Sequence, residues 1–209
     1  MLLMMSNAEG TQGSTRSPGE TEAYLAAVTI GKRKPLNSTI HLASYDPRWP
    51  LEFARLAEGI RRALGDKALL VEHVGSTSVP GLCAKPVIDI LLAVADSTDE
   101  SAYVPPLQAE GFVLRIREPD WFEHRLFKTP HADGNLHVFS VRSEEISRML
   151  AFRDWLRLHV EERRRYEKTK RELAARTWKH VQDYADAKSG IVREILARAL
   201  GREGNHEAE

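Results

Sequence analysis

The chain has 209 residues, with 30 Lys+Arg against 30 Asp+Glu, so its formal net charge is zero. That length suits one domain with appendages, and 42% hydrophobic with 29% charged residues is the make-up of a soluble globular protein. The balance excludes the basic excess that drives sequence-independent binding to long nucleic acids, and equally the acidic composition of a disordered chain.

The opening MLLMM is too short for a secretory core and has no basic residue before it. Residues 1–38 read as a disordered tail, rich in Ser, Thr, Gly and Glu, with only Tyr24–Val28 as a short apolar stretch. The body begins near Thr39, and Ile40-His41-Leu42 reads as a short edge strand. Asp46 is a suitable N-cap with Pro47 at the first helical position. Trp49, Phe53, Leu56, Ile60 and Leu64 then form one apolar stripe, which predicts an amphipathic helix from Pro47 to Leu64 ending at Gly65.

Leu69–Val74 reads as a strand that stops at Gly75, and Gly75-Ser76-Thr77-Ser78-Val79-Pro80-Gly81 as a turn. Val87–Val94 is nearly continuous hydrophobic sequence, the mark of a central strand buried on both faces. Tyr103–Glu110 reads as a short helix. Phe112–Arg117, Trp121–Lys128 and Leu136–Val141 read as strands, the last two joined by a turn whose Asp133-Gly134 signals a hairpin. From Ser143 the period turns helical, with helices to about His159, from Glu161 to Arg176 and from Trp178 to Leu200. The expected fold is α+β, a mixed β-sheet with flanking helices gathered on one side and a helical C-terminal third, spanning residues 39–200, with 201–209 a flexible tail.

The single cysteine, Cys83, excludes an intramolecular disulfide framework and a cysteine-only zinc site. The longest apolar run, Ile90–Ala95, is far too short to span a bilayer. These features lead to the expectation of a cytoplasmic protein with a small-molecule partner, no membrane and no long nucleic acid.

Asp89 stands in the middle of the most hydrophobic strand, where an ionised carboxylate is costly unless it is paired, hydrogen-bonded or bound to a metal. Alternation puts Asp89 and Leu91 on one face and Ile88 and Ile90 on the other. A Gly75-Ser76 turn precedes it. Glycine lets backbone approach a phosphate closely, and Ser and Thr hydroxyls cradle its oxygens. A carboxylate on the neighbouring strand can hold a divalent cation against that phosphate. The turn is not a P-loop, because Gly81 is followed by Leu82 and Lys85 comes too late, and no G-x-G-x-x-G occurs.

Several segments carry a family resemblance: YDPRWP at Tyr45–Pro50, EHVGSTSVPGLCAKPVIDILLAV at Glu72–Val94 and LHVF at Leu136–Phe139. LAFRDWLR at Leu150–Arg157 and YADAK at Tyr184–Lys188 add to it. Together they resemble the GrpB family from about His41 to Ala199. The resemblance implies the nucleotidyltransferase superfamily, the fold of DNA polymerase beta, and a relation to the extra C-terminal domain of some dephospho-CoA kinases. Active members of that superfamily use a Gly-Ser turn, two acidic residues one apart on a strand, and a third acidic residue on a later strand. Here the turn is Gly75-Ser76 and the first acid Asp89, but the second position is Leu91. Two-metal transfer needs several converging carboxylates, so Leu91 removes a ligand.

Glu72, Glu123 and His137 are the residues considered to complete the site, and His137 in place of a carboxylate favours a single or softer cation over paired magnesium. The catalytic candidates are thus Asp89, His137 and Glu123, with Asp89 and His137 as metal ligands. For nucleotide or phosphate contact the candidates are His73, Gly75, Ser76, Thr77, Ser78, Lys85, Arg125, Lys128, Arg153 and Lys188. Arg125 and Lys128 point to opposite faces of a regular strand, and Tyr184 and Lys188 share a helix face. His124, His131 and His137 fit no zinc spacing and read as solvent-facing. EERRRYEKTKRE at Glu161–Glu172 reads as a solvated helix face, and Arg157 as packing through its stem.

Two functions stay open. One is a metal-dependent nucleotidyltransferase, taking a nucleoside triphosphate with Mg²⁺ and moving a nucleoside monophosphate to a small acceptor. The other is a non-catalytic ligand-binding or accessory domain whose site is degenerate at Leu91.

Overall fold

A computed structural model describes residues 17–203, apart from 34 and 132. Its order is α1 (Pro18–Val28), α2 (Trp49–Leu64), β1 (Leu70–Val74), β2 (Ile88–Val94), α3 (Val104–Ala109), β3 (Val113–Glu118), β4 (His124–Lys128) and β5 (Gly134–Ser140). Four helices follow: α4 (Glu144–Leu158), α5 (Val160–Ala174), α6 (Val181–Ala187) and α7 (Ser189–Glu203). The five strands form one sheet in the order β1-β2-β5-β4-β3. Only β2 and β5 run parallel; the other neighbours are antiparallel. This is the mixed sheet with flanking helices and a helical C-terminal third that the sequence predicts.

All seven residues of β2 are buried, so helices must cover both sheet faces rather than gather on one side as expected. On one face Ile88, Ile90, Leu92 and Val94 join Leu136, Val138 and Phe127 in a core closed by Leu56, Ala57, Ile60 and Leu64 of α2 and Leu107 of α3. On the other face Leu91, Ala93 and Phe139 meet Ile146 and Met149 of α4. Asp89 shares that second face, as alternation predicts. β5 brings Asn135 beside Asp89 and His137 beside Leu91.

β3 pairs with β4 through a register shift between Leu114 and Ile116. Leu114 opposes Phe127, which belongs to the α2-side core, whereas Ile116 opposes Leu126 and Glu118 opposes His124. The irregularity reverses the parity of the strand and re-aims Glu118 toward the Asp89 face.

Several expectations are corrected. Residues 18–28, assigned to a disordered tail, form α1. The Ser17 hydroxyl accepts the Glu20 N–H and the Glu20 carboxylate accepts the Ser17 N–H, a capping box. Beyond it Thr29 pairs with Ile116, which protects the open edge of β3. Residues 201–203 belong to α7, and the rest of the expected tails, 1–16 and 204–209, lies outside the described residues. Helix α2 starts at Trp49 with Arg48 as N-cap; Asp46 instead accepts the Arg48 N–H at 2.9 Å and braces the preceding turn. Ile40-His41-Leu42 forms no strand, and the chain is tied there by isolated bridges at Ser38–Trp178 and Ala43–Ala84. The single helix expected over Trp178–Leu200 is two, broken at Lys188.

Candidate functional site

Gly75 ends β1 with φ +72°, a left-handed conformation that favours glycine. A Cβ there would lie 2.5 Å from Asp89 Oδ2, so the bare backbone is what lets the turn sit against the carboxylate. The Ser78 hydroxyl donates to the Gly75 carbonyl at 2.6 Å, and Arg157 donates twice to the Ser78 carbonyl at 2.9 and 3.1 Å. Arg157 therefore holds the turn from behind, a role its stem-packing assignment missed.

A cavity of about 580 Å³ opens beside this turn. Its floor includes Ser76, Thr77, Asp89 and Asn135, and its walls come from β3 and β4, from α5 and α6, and from the segment around α1. Seven basic side chains line it: Lys32, Arg33, Lys85, Arg115, Lys128, Lys170 and Lys188. Asp89 is the one carboxylate among the lining residues. Leu42, Val87, Leu126 and Val181 supply apolar wall.

The polar groups are joined. Lys128 Nζ donates to Asn135 Oδ1 at 2.6 Å, and Asn135 Nδ2 donates to Asp89 Oδ1 at 2.7 Å. Lys170, 2% exposed, donates to the Cys83 carbonyl and lies 5.0 Å from the Tyr166 ring centroid. Burial pulls its pKa down to about 7. Lys188 sits 4.3 Å from the Tyr184 ring centroid, and burial lowers it to about 8 against the opposing pull of Asp89. The Tyr184 hydroxyl, at the cavity wall, is buried and has no hydrogen-bond partner among the described residues. A ring face, a neutral carbonyl and the single carboxylate of Asp89 balance only part of the charge on two buried ammonium groups, and an incoming anion would complete the balance.

Of the predicted residues, Ser76, Thr77, Lys85, Asp89, Lys128 and Lys188 line the cavity, with Gly75 and Ser78 shaping the turn. His137 lies behind Asp89, its Nε2 3.7 Å from Oδ1. The others are placed elsewhere. His73 is buried beneath the turn, stacked on Phe53 and 3.0 Å from the Thr77 hydroxyl, and burial lowers its pKa to about 4. Arg153 is held by Glu72 at 2.6 Å and Asp154 at 2.7 Å, so Glu72 is engaged by Arg153 and does not line the cavity. Arg125 faces Glu100 at 2.7 Å, and Glu123 is half-exposed beside Arg125; neither lines the cavity.

His124 and His137 are buried and stacked on each other rather than facing solvent. Sequence reasoning passed over Lys170 and Tyr166, which the charged run hides, and Asn135 and Arg115. The signal for the first pair was spacing: Tyr166, Lys170, Leu173 and Ala174 fall on one helix face, and all four are buried.

Among the described residues no three His, Cys, Asp or Glu side chains converge on a common point. Asp89 and His137 alone, flanked by lysines and with buried Leu91 at the second acidic position, do not fit a pair of magnesium ions, which demand oxygen ligands.

The sequence model of the family described as GrpB protein matches residues 39–198. A UPF0157 protein of Halalkalibacterium halodurans is 61% identical over 186 residues, covering 89% of this chain and 95% of its own length. The crystal structure of the conserved protein GrpB from Enterococcus faecalis superposes with a TM-score of 0.69 at 28% identity, covering 78% of this chain and 99% of that one. A dephospho-CoA kinase of Mycolicibacterium paratuberculosis is 28% identical over 199 residues, covering 83% of this chain but 49% of the kinase.

Proposed function

The chain belongs to the GrpB family, and from that premise we propose that it binds a phosphorylated small molecule of the nucleotide class in the cationic cavity. The observation that carries this reading is the lining itself, seven basic side chains to one carboxylate around a glycine-serine turn. The volume is that of a small-ligand site and too small for a nucleic-acid track. Ser76 and Thr77 present the turn to the ligand, Lys85, Lys170 and Lys188 neutralise its phosphate oxygens, and the apolar wall takes its uncharged part.

The lysines here do the charge neutralisation that paired magnesium performs in a two-metal transferase. Mg²⁺, in this reading, arrives on the nucleotide and is not needed to hold it. The carboxylate set does not favour nucleotidyl transfer, so the binding or accessory role takes precedence over catalysis. The match to about half of a dephospho-CoA kinase supports it, since there a domain of this kind is joined to a kinase.

Calorimetric titration of ATP and of dephospho-CoA into the full chain tests the proposal. At least one is expected to bind, and Lys188→Met is expected to weaken it at least tenfold. No binding of any phosphorylated probe by the wild type would refute the reading.

A further inference from the structure

The phosphate contacts at the glycine-serine turn leave one end of the cavity unused. Across the sheet, Asp89 of β2 pairs with Asn135 of β5, Asn135 with Lys128 of β4, and Lys128 with Val113 of β3. That row crosses three strand spacings, about 14 Å. Arg115 stands just beyond Val113 and lines the cavity at its β3 end. At the other end the turn sits against Asp89, with Lys188 near enough to feel the charges of Asp89 and Lys85.

The register shift in β3 builds the far end. Leu114 pairs with Phe127 and Ile116 with Leu126, which leaves Arg115 as the extra residue of a bulge. Arg115 and Ile116, though consecutive, both line the cavity, where regular alternation would send one of them away. Arg115 Nη2 donates to the Lys32 carbonyl at 2.8 Å, and the Ile30 N–H donates to the Arg115 carbonyl at 2.8 Å. The chain leaving α1 is thereby fixed beside the guanidinium.

Positive charge at this end is left unbalanced. Arg33 is engaged by Glu22 at 2.8 Å, and Glu22 also meets Lys179 at 3.2 Å and His180 at 2.8 Å. Among the described residues neither Lys32 nor Arg115 has a carboxylate partner, and Nε and Nη1 of Arg115 have no acceptor. Burial lowers the Lys128 pKa, and the charges of Lys85 and Arg115 add to that against the pull of Asp89. A half-buried guanidinium with open donors, joined in the lining by Lys32, suits bidentate contact with a phosphate.

We propose that Arg115 and Lys32 form a second phosphate seat, across the sheet from the glycine-serine turn, so that the ligand is a nucleotide phosphorylated at two separate positions of its sugar. The inference rests on the cavity being a nucleotide site. A single phosphate group satisfies one seat and leaves the other open. Lys32 precedes residues 39–198, so half of this seat is supplied from outside the family-matched region.

Calorimetric titration of adenosine 5′-monophosphate and of adenosine 3′,5′-bisphosphate into the full chain tests the seat, since the two differ by one phosphate. The bisphosphate is expected to bind about tenfold tighter, the worth of one charge-assisted contact. Arg115→Met is expected to remove that margin and leave the monophosphate unchanged, whereas Lys188→Met weakens both. Lys32→Met keeps the carbonyl that Arg115 holds and is expected to narrow the margin as well, which covers a failure of Arg115→Met to fold. No margin in the wild type would overturn the inference, as would equal losses of the two probes in both variants. If neither nucleotide binds the wild type, the nucleotide reading fails on its own. Nitrogen-15 NMR of the Arg115 Nε–H under inorganic diphosphate then decides the seat: a shift on titration supports it, and none overturns it.

Discussion

The two faces of one sheet differ sharply in what their residues do. Along β2, Ile88, Ile90, Leu92 and Val94 enter an apolar core beneath α2 and α3 that needs nothing from outside the chain. One residue out of step, Asp89 looks the other way, toward Asn135, His137, Lys128 and a cavity walled by lysines. The first face is built for stability. The second carries buried charge and polar atoms with no partner among the described residues, which cost stability, and such costs are found where a ligand is to complete the site.

Substitutions should therefore separate the two faces. The largest effect is expected for Leu92→Ala, fully buried under α2: about 3 kcal/mol less unfolding free energy by denaturant titration, with ligand affinity unchanged in the folded protein. Lys170→Met should go the other way. The folded-state pKa of Lys170 is depressed from 10.5 to about 7, so between those values the unfolded chain binds more protons and stability rises with pH. The cost of the buried ammonium is fully present below pH 7. Replacing it is expected to stabilise by about 1–3 kcal/mol at pH 6, a gain that fades toward pH 10, while phosphate-ligand affinity falls at least tenfold. A loss of stability at pH 6 would break the contrast between the faces.

Gly75→Ala is expected to cost about 1–2 kcal/mol, through its left-handed φ and the approach to Asp89, and to weaken binding as the turn shifts. The last prediction concerns pH on the wild type. Lys170 and Lys188 lose charge near pH 7 and 8, so affinity for a phosphorylated ligand should decline at least tenfold from pH 6 to pH 9 in calorimetry.

The apolar face was legible because its signal is periodic: the stripe from Trp49 to Leu64 and the run from Ile88 to Val94 each read directly as an element. The glycine-serine turn and Asp89 were legible because a carboxylate in an apolar strand is out of place. Lys170 was not, since one buried lysine among the many charges of α5 is visible only when the helix is set against Tyr166, Leu173 and Ala174. Glu118 was hidden for another reason. Strict alternation sends it to the wrong face, and only the irregularity after Leu114 corrects the parity. Helix α1 had its signal in Ser17-Pro18-Gly19-Glu20, a capping box masked by polar neighbours.

The central claim is that lysines, not paired metal ions, hold the ligand's phosphates. Its most direct test is the affinity for ATP at pH 6.5, measured in EDTA and again with saturating Mg²⁺. The account predicts binding in EDTA at least as tight as with Mg²⁺, and its loss in a Lys170→Met/Lys188→Met double variant. Binding that requires Mg²⁺ and survives the double substitution would contradict it.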